Sequence, residues 1–323
     1  MIVTTLKARL TIRTQILIIS LLIPCLSSAA SYCVSSQARL YEVLNTAALS
    51  AADDDIRVAA GVFNMPAQIN LEIQGALTIS GGWSSLFFDM CGKQALGAKT
   101  TLLGNIDYGV YLRPRSALNL DRIDFVRWSN IAIRDSFPEP VPAILPEIRI
   151  SRCGFSAMRS WGLNLAITRH HTRIENSVFA GNGANALRFF SVPETAIQHL
   201  VQFNTIADNA GGIFVNTNAN AQLRVLNTVS TNNAYGDLEV YGTVPQVKNS
   251  FWNVGMLTLS PDSTGNLSGT AGLNSQLRPL AGSQLIDAGA FAQQVRPKFD
   301  YAGSPRLLAL RPDIGAYEGA AAQ

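Results

Sequence analysis

The middle of the chain is a series of short segments in which apolar and polar residues alternate, separated by glycine and asparagine. Four of these segments align without gaps, and each carries an asparagine followed by serine or threonine: IENSVF (174–179), QFNTIA (202–207), VLNTVS (225–230) and VKNSFW (247–252). Alternation with a period of two is typical of half-buried β-strands. The asparagines are spaced by 28, 23 and 22 residues, which predicts one solenoid coil per repeat.

The alternation also predicts which side chains face the core. Counted back from each asparagine, the second residue is expected to point inward and the first outward. The expected inward residues are Ile174, Val225 and Val247, and the expected outward residues are Glu175, Leu226 and Lys248. Gln202 stands in an inward position and breaks this rule, and the long spacing before it indicates a longer loop in that coil.

Stacked coils place equivalent residues about 4.8 Å apart, so asparagines at one turn can hydrogen-bond each other through their side-chain amides. The sequence predicts such a ladder, formed by Asn176, Asn204, Asn227 and Asn249. One coil earlier, ISRCGF (150–155) fits the same frame with Cys153 in the serine or threonine position, which predicts that Cys153 is a small packing residue. Together these features predict an all-β fold, a right-handed parallel β-helix with coils over residues 56–260.

The two ends of the chain follow other patterns. In SQARLYEVLNTAALSA (36–51) the apolar residues Leu40, Val43, Leu44 and Ala47 recur at helical spacing. This predicts a short amphipathic α-helix that caps the open N-terminal end of the solenoid, within a cap over residues 31–55. Residues 261–323 follow the coils as a closing segment, and the proline-rich stretch 137–147 is expected to protrude as a loop, because proline cannot donate to a sheet.

The first thirty residues read as a secretory signal peptide. Lys7, Arg9 and Arg13 precede the apolar run ILIISLLIPCL (16–26), and SSAA (27–30) supplies the small residues of a cleavage site after Ala30. The apolar run is too short to span a bilayer, which disfavours the alternative of an anchoring helix. We therefore expect export to the periplasm, the cell surface or the medium, with no transmembrane segment after cleavage.

Cleavage would change the charge and the cysteine count. The full chain has 25 basic and 22 acidic residues, and residues 1–30 carry three basic residues and no acidic residue, so the mature chain has 22 of each. A neutral chain has no overall attraction to nucleic acid, and no nucleic-acid partner is expected. Three cysteines remain, and we pair Cys33 with Cys91 because both lie in the N-terminal region outside the repeats. No cysteine or histidine stands at ligand spacing near Cys153, and no metal site is expected.

Several segments resemble a known family. DDDIRVAAGVF (53–63) and LTISGGW (77–83) resemble the opening of bacterial exported parallel β-helix proteins. SQLIDAG (283–289), FDYAGSPR (299–306) and PDIGAYE (312–318) are similar to the C-terminal signature of choice-of-anchor Q domain proteins. The resemblance implies a right-handed β-helix of the pectin-lyase-like class, in a bacterial protein associated with the cell envelope.

Asp313 and Glu318 are the first candidates for a catalytic acid pair. They are five residues apart, and in a strand an odd separation puts two side chains on opposite faces. Paired glycosidase carboxylates must instead face one cleft. The segment is therefore expected to be a final strand that packs on the last coil.

Stacked carboxylates at offsets of one coil would indicate an enzyme or a Ca²⁺ site. Only Glu239 and Asp262 are expected to stack in this way, and the sequence offers no group of acids that would bind Ca²⁺. No catalytic residue is assigned and no cofactor is expected, except Ca²⁺ under a lyase interpretation. Trp83, Trp128, Trp161 and Trp252 could stack on sugar rings or could pack the core and the ends.

One outward row is more suggestive of binding. Arg149, Arg173 and Arg224 stand three residues before the predicted ladder, with Val201 interrupting the row and Gln246 beyond it. Arginines on a stacked face could bind an acidic polysaccharide, and the alternative is a solvated strand face. The leading hypothesis is a non-catalytic exported β-helix that binds a glycan or a cell-envelope component. The alternatives are a polysaccharide lyase or hydrolase that acts on an acidic polysaccharide along this row, and a purely structural spacer or assembly subunit.

Overall fold

The computed structural model describes residues 29–85, 91–135, 144–190, 193, 196–290, 297–306 and 311–319. The predicted signal peptide lies outside these residues except for its last two, and so does most of the predicted proline-rich loop. Within the described part of the chain, no helix has the length and the apolar character that a membrane span requires.

Three parallel sheets run along the molecule, and each coil from β2 (Asp54–Ala59) to β23 (Leu238–Tyr241) contributes one strand to each of them. The first sheet consists of β1 (Ser31–Val34), β2 (Asp54–Ala59), β5 (Leu77–Ser85), β9 (Leu118–Asp121), β12 (Glu147–Ser151), β15 (His171–Glu175), β18 (Ile197–Gln202), β21 (Ala221–Leu226) and β24 (Gln246–Lys248). The short strand β6 (Cys91–Gln94) pairs with β5 in antiparallel fashion.

The other two sheets repeat the same order. The second consists of β3 (Gly61–Asn64), β7 (Thr100–Leu103), β10 (Ile123–Val126), β13 (Gly154–Ser156), β16 (Val178–Ala180), β19 (Thr205–Ala207) and β22 (Val229–Thr231). The third consists of β4 (Ile69–Ile73), β8 (Val110–Pro114), β11 (Ile131–Arg134), β14 (Leu163–Ala166), β17 (Asn185–Phe190), β20 (Gly211–Asn216), β23 (Leu238–Tyr241) and β25 (Gly255–Met256). The fold is the predicted right-handed parallel β-helix.

The core lies between the three sheets and is built from columns of like residues. In the first sheet one column runs through Ile79, Leu120, Ile150, Ile174, Val201, Val225 and Val247, all buried and all in register. In the second sheet Phe125, Phe155 and Phe179 stack, with ring centroids 5.5 and 4.8 Å apart. Such columns form because side chains of period two all point inward at the same place in every coil.

The N-terminal end is closed by α1 (Gln37–Leu49), as the helical spacing predicted. The Ser36 hydroxyl accepts a hydrogen bond from the Arg39 backbone N–H and so caps the first turn. Leu40, Val43 and Leu44 lie on the buried face of the helix. A disulfide joins Cys33 in β1 to Cys91 in β6, the pair expected from the sequence, and Cys153 is free and buried.

The corner between the first and second sheets corrects the predicted frame by one residue in one coil. The residues at this corner adopt a left-handed backbone conformation, with φ of 50° at Asn176, 54° at Phe203, 47° at Asn227 and 44° at Asn249. Phe203, not Asn204, is thus equivalent to the other asparagines. Val201 takes the inward position, and Gln202 stands beside Glu175. Gln202 therefore obeys the alternation that it was expected to break.

The predicted outward positions also differ from expectation. Glu175 and Leu226 are buried, and Lys248 is half-buried. Glu175 does point away from the core, but Arg149 and Gln202 on the neighbouring strands cover it and donate hydrogen bonds to its carboxylate. A carboxylate loses its exposure at little cost when charged and amide donors replace water in this way.

The four predicted asparagines do not hydrogen-bond each other. Asn204 instead belongs to a mixed ladder one residue further along, in which each backbone N–H donates to the next side-chain oxygen. Its members are Cys153, Ser177, Asn204, Thr228, Ser250 and Asn266, at donor–acceptor distances of 3.2, 2.9, 3.4, 3.2 and 3.1 Å. Short polar side chains thus satisfy the backbone where the chain leaves the corner.

A true asparagine ladder occupies a different turn, between the second and third sheets. The Asn182 side-chain amide donates to Asn209 Oδ1 at 2.7 Å, that of Asn209 donates to Asn233 Oδ1 at 3.0 Å, and that of Asn233 donates to Asp237 Oδ1 at 2.9 Å. All four side chains are buried. This ladder was not predicted from the sequence.

Residues 313–318, which were predicted as a final strand, do not form one. Residues 311–319 have no regular secondary structure and pack against the outside of the second sheet, where the Ala316 N–H donates to Thr205 Oγ1 at 2.9 Å. Asn227 exchanges two hydrogen bonds with Ala290, at 2.8 and 3.0 Å. Asn227 therefore binds the closing segment rather than another corner asparagine.

Candidate functional site

The predicted arginine row lies on the outer face of the first sheet. Arg149 of β12 stands beside Arg173 of β15, as expected. Leu200, not Val201, follows in register, and Arg224 and Gln246 come after it. The correction has the same one-residue origin as the corner above.

Two of the three arginines are neutralised by neighbouring acids. Arg149 Nε donates to Glu175 Oε1 at 3.0 Å, and Arg173 Nε donates to Glu147 Oε1 at 3.2 Å. Burial is the largest single influence and lowers the pKa of Arg149, but the attraction and hydrogen bonding of Glu175, together with the attraction of Glu147 and Asp121, raise the net pKa. These two guanidinium groups are therefore paired with acids of the same sheet, and the row is not a continuous cationic track.

Arg224 differs from its two neighbours. It is exposed, its Nε donates to Gln246 Oε1 at 3.0 Å, and no ion pair joins it to the described residues. It borders an open groove of about 400 Å³ that is also lined by Gln222, Thr243 and Ser260. The groove offers polar side chains but no aromatic ring on which a sugar could stack.

A second arginine-bearing surface lies on the outer face of the third sheet, and we call it the arginine–aromatic patch. It consists of Arg134, Trp161, Arg188, Phe190 and Phe214. The guanidinium carbon of Arg188 lies 4.8 Å from the ring centroid of Trp161, 4.7 Å from that of Phe190 and 5.9 Å from that of Phe214. Cation–π contacts of this kind hold a guanidinium in place while leaving its edge open to a ligand.

The strand alternation explains how these side chains reach one surface. In β17, Leu187 and Phe189 point into the core. Arg188 and Phe190, which alternate with them, therefore point outward. Register then places Phe214 of β20 directly beside Arg188. Phe190 is 48% exposed, which is unusual for a phenylalanine on a folded surface.

The patch carries positive charge that the described residues do not neutralise. Neither Arg188 nor Arg134 forms an ion pair within that part of the chain, and the only polar partner of the Arg188 head group there is Asn164 Oδ1, at 3.4 Å. The pKa of Arg188 is lowered, first by partial burial and then by repulsion from Arg134. A bound anion would relieve this repulsion.

The carboxylates do not assemble into a catalytic or metal site. In register Glu239 stands beside Met256, so Glu239 and Asp262 do not stack as predicted. Among the described residues, no group of three or more acids, histidines or cysteines could hold a metal ion. Trp128 is fully buried and belongs to the core, whereas Trp161 is the one tryptophan of the four that lies in the patch.

Asp313 and Glu318 do meet, but in a buried cluster of the closing segment. The Arg306 Nη1 group donates to Glu318 Oε1 at 2.9 Å, and its Nη2 group donates to Asn176 Oδ1. Burial raises the pKa of Glu318 to about 7, against the attraction of Arg306. Burial likewise raises the pKa of Asp313. This cluster attaches the chain end to the coils and has no access for a substrate.

Lys99 also has a shifted pKa, and its role is structural. Its Nζ donates to Asp124 Oδ1 at 3.2 Å and to the Arg152 carbonyl at 3.1 Å. Burial lowers the pKa of Lys99 to about 8, although Asp124 acts in the opposite direction. The Tyr301 hydroxyl of the closing segment donates to the same Asp124 oxygen at 2.9 Å. All these groups are occupied with one another.

Comparison with known proteins does not assign a family. No protein-family model matches the chain, and no curated protein sequence matches it. Among solved structures, the chain is similar to a crystal structure of pectate lyase Pel9A, with a TM-score of 0.33 and 11% sequence identity over 90% of this chain and 97% of that chain. The expected membership of the choice-of-anchor Q family stays a prediction. What the chain shows by itself is a parallel β-helix with two arginine-bearing outer faces.

Proposed function

We propose that this protein is exported to the bacterial cell envelope and binds a glycan along the third sheet, without catalysing a reaction. The observation that carries the proposal is Arg188, a cation without an acidic partner in the described chain that is held between Trp161 and Phe190. Aromatic rings stack on the apolar faces of sugars, and a guanidinium binds the polar groups at their edges.

The disulfide supports export. Disulfides persist in oxidising compartments and are rare in the reducing cytosol. Cys33 and Cys91 lie at a bonding distance of 2.09 Å, and Cys33 comes three residues after the predicted cleavage site at Ala30. N-terminal sequencing of the protein recovered from a cell fraction tests this part, with Ser31 as the expected first residue.

Binding is tested with protein that starts at Ser31, applied to a panel of immobilised polysaccharides. We expect saturable binding to at least one of them, and we expect Trp161→Ala and Phe190→Ala each to weaken it about tenfold, as stacking energies of this kind predict. Tyr235→Ala, which removes an exposed aromatic ring outside the patch, is the matched control and should bind normally.

Two results would contradict the proposal. Binding that survives both patch substitutions would place the glycan elsewhere, with the Arg224 groove as the next surface to examine. A protein that binds no polysaccharide would favour the structural alternative, a spacer or an assembly subunit.

The lyase alternative draws support from one feature of the same patch. A lyase removes a proton from its substrate, and the lowered pKa of Arg188 makes the neutral guanidine, the form that can accept a proton, more accessible than in an ordinary arginine. Incubation with acidic polysaccharides, with and without Ca²⁺, would be followed by ultraviolet absorbance of unsaturated sugar ends. Product above a heat-treated control would replace binding with catalysis.

A further inference from the structure

We infer that the glycan bound by the arginine–aromatic patch is acidic and carries its negative charges on every second sugar. This inference rests on the proposed function and adds the charge pattern of the ligand. It follows from the positions of Arg134 and Arg188, the two arginines of the patch, neither of which has an ion-pair partner among the described residues.

The two cations are separated by one intervening strand. Arg134 lies on β11 and Arg188 on β17, with β14 pairing with both strands between them. Two strand spacings amount to about 10 Å along the helix axis. Arg134 also stands two residues beyond Ala132, the residue of β11 in the same column as Asn164 and Arg188, so the two arginines lie about 12 Å apart on a line oblique to the axis. A sugar in an extended chain has a length close to one strand spacing, so a chain that crosses the strands along this line places the two arginines at sugars two residues apart.

The strand between them offers no positive charge. In β14 the position in register with Arg188 is Asn164, and the position in register with Arg134 is Ala166. A carboxylate on the middle sugar would face an amide and a methyl group, and it would repel its neighbours without compensation. A neutral sugar at that position fits the Asn164 amide instead.

The surroundings limit the site to two acidic groups. On one side Arg113 forms an ion pair with Glu72 at 3.4 Å, which removes the next cation from the track. On the other side Glu239 stands beside Phe214 in register and would repel a third acid. The patch is thus complementary to a short stretch of a polysaccharide with alternating acidic and neutral sugars.

The experiment compares oligosaccharides of equal length by calorimetry at low and physiological salt. The probes are hyaluronan fragments, with a carboxylate on every second sugar, oligogalacturonides, with one on every sugar, and neutral cello-oligosaccharides. We expect the hyaluronan fragment to bind most tightly, by roughly fivefold over the oligogalacturonide, the effect of about one exposed charge interaction. Its affinity should fall as salt rises.

Variants connect the preference to the two arginines. Arg134→Gln and Arg188→Gln should each reduce hyaluronan binding about tenfold. Arg134→Gln should leave the weak binding of the neutral fragment nearly unchanged. Arg188→Lys should restore only part of the loss, because an ammonium cannot stack as a planar fork. Arg224→Gln, an exposed arginine on another face, is the control. Thermal unfolding verifies that each variant folds.

The outcomes separate the inference from the proposed function. If the oligogalacturonide binds as tightly as the hyaluronan fragment, or if the neutral fragment does, the alternating pattern is wrong and glycan binding stands. If no fragment binds although the polysaccharide panel contains a ligand, the inference is overturned and glycan binding stands; if the panel shows no binding either, the proposed function fails as well. If the preference persists in Arg134→Gln and Arg188→Gln, the charges that select the ligand lie elsewhere and the inference is overturned.

Discussion

Replacement of Asn209 by leucine is the sharpest test of how the coils are held together. Asn209 is buried at the centre of the asparagine ladder. Its Oδ1 accepts hydrogen bonds from the Asn182 backbone N–H at 3.0 Å and from the Asn182 amide at 2.7 Å. Its own amide donates to Asn233 Oδ1, to the Phe179 carbonyl and to the Ala207 carbonyl, at 3.0, 3.1 and 3.0 Å.

Leucine has nearly the same size, so the change removes polar partners rather than volume. The Asn182 amide keeps a second acceptor, the Phe155 carbonyl, and Asn233 Oδ1 keeps the Asn209 backbone N–H. The Asn182 backbone N–H keeps no partner. One orphaned buried donor and several weakened bonds amount to about 2–4 kcal/mol of lost stability. For a chain of this size that corresponds to a fall in Tm of roughly 5–15 °C.

Urea unfolding followed by tryptophan fluorescence measures the difference. Asn216→Leu is the matched control, because Asn216 is exposed at the end of β20, the strand that follows Asn209 in the same coil. We expect the control to change the free energy of unfolding by less than about 0.5 kcal/mol. A loss below about 1 kcal/mol for Asn209→Leu, or an equal loss in both variants, would refute the view that this ladder satisfies the buried turn.

Three further predictions concern other parts of the molecule. Asn227→Leu removes both hydrogen bonds to Ala290, so limited proteolysis should cut the closing segment faster while the coils resist; unchanged cleavage would contradict its role as an attachment point. Burial, and secondarily His171, lowers the pKa of His199 to about 3 from 6.5, so the folded protein keeps this ring neutral while the unfolded chain binds a proton below pH 6.5. The free energy of unfolding therefore decreases as pH falls from 6.5 toward 3, by about 2 kcal/mol at pH 5. The urea unfolding midpoints at pH 7 and pH 5 should differ less in His199→Gln than in the natural protein. Replacing Cys33 and Cys91 by serine should cost about 2–4 kcal/mol, and a reduced sample of the natural protein that melts at the unreduced temperature would argue against this.

Much of the fold was predictable because period-two alternation determines which residues are inside. Ile174, Val225 and Val247 are buried in one column, and the helix that caps the N-terminal end buries its own Leu40 and Val43, as expected. These features depend only on local pattern, since each strand or helix shows its apolar face in its own sequence.

The ladder shows where local pattern is insufficient. A gap-free alignment matched Asn204 to Asn176, although the corner of that coil is occupied by Phe203. Asparagine is favoured at the corner because it tolerates positive φ. A search for asparagine therefore misses the corner of the coil in which phenylalanine takes its place. The true ladder leaves a visible trace in GNGAN (181–185), DNAGG (208–212) and NNAYG (232–236), spaced by 27 and 24 residues, which an alignment of glycine–asparagine turns would have found.

The proposed binding surface lies on another face than the predicted arginine row, for a different reason. Arg149 and Arg173 are correctly placed, but whether an arginine is available depends on acids in neighbouring coils, such as Glu175 and Glu147. Sequence distance does not show these pairings before the register is known. Alternation within ALRFF (186–190) does put Arg188 and Phe190 on one face, and only the stacking of Trp161 and Phe214 beside them turns that face into a patch.

The return of the closing segment to the second sheet has a consequence for how the protein acquires its final form. A solenoid contacts only neighbouring coils, so it can fold progressively while its C-terminal part is still being made or transported. Here Tyr301 reaches Asp124, 177 residues earlier, and Arg306 reaches Asn176. Those contacts cannot form until residues 301–306 have been synthesised. The native fold is therefore completed only after the closing segment has been synthesised. Its contacts then join coils that were independent until that point into one cooperative unit.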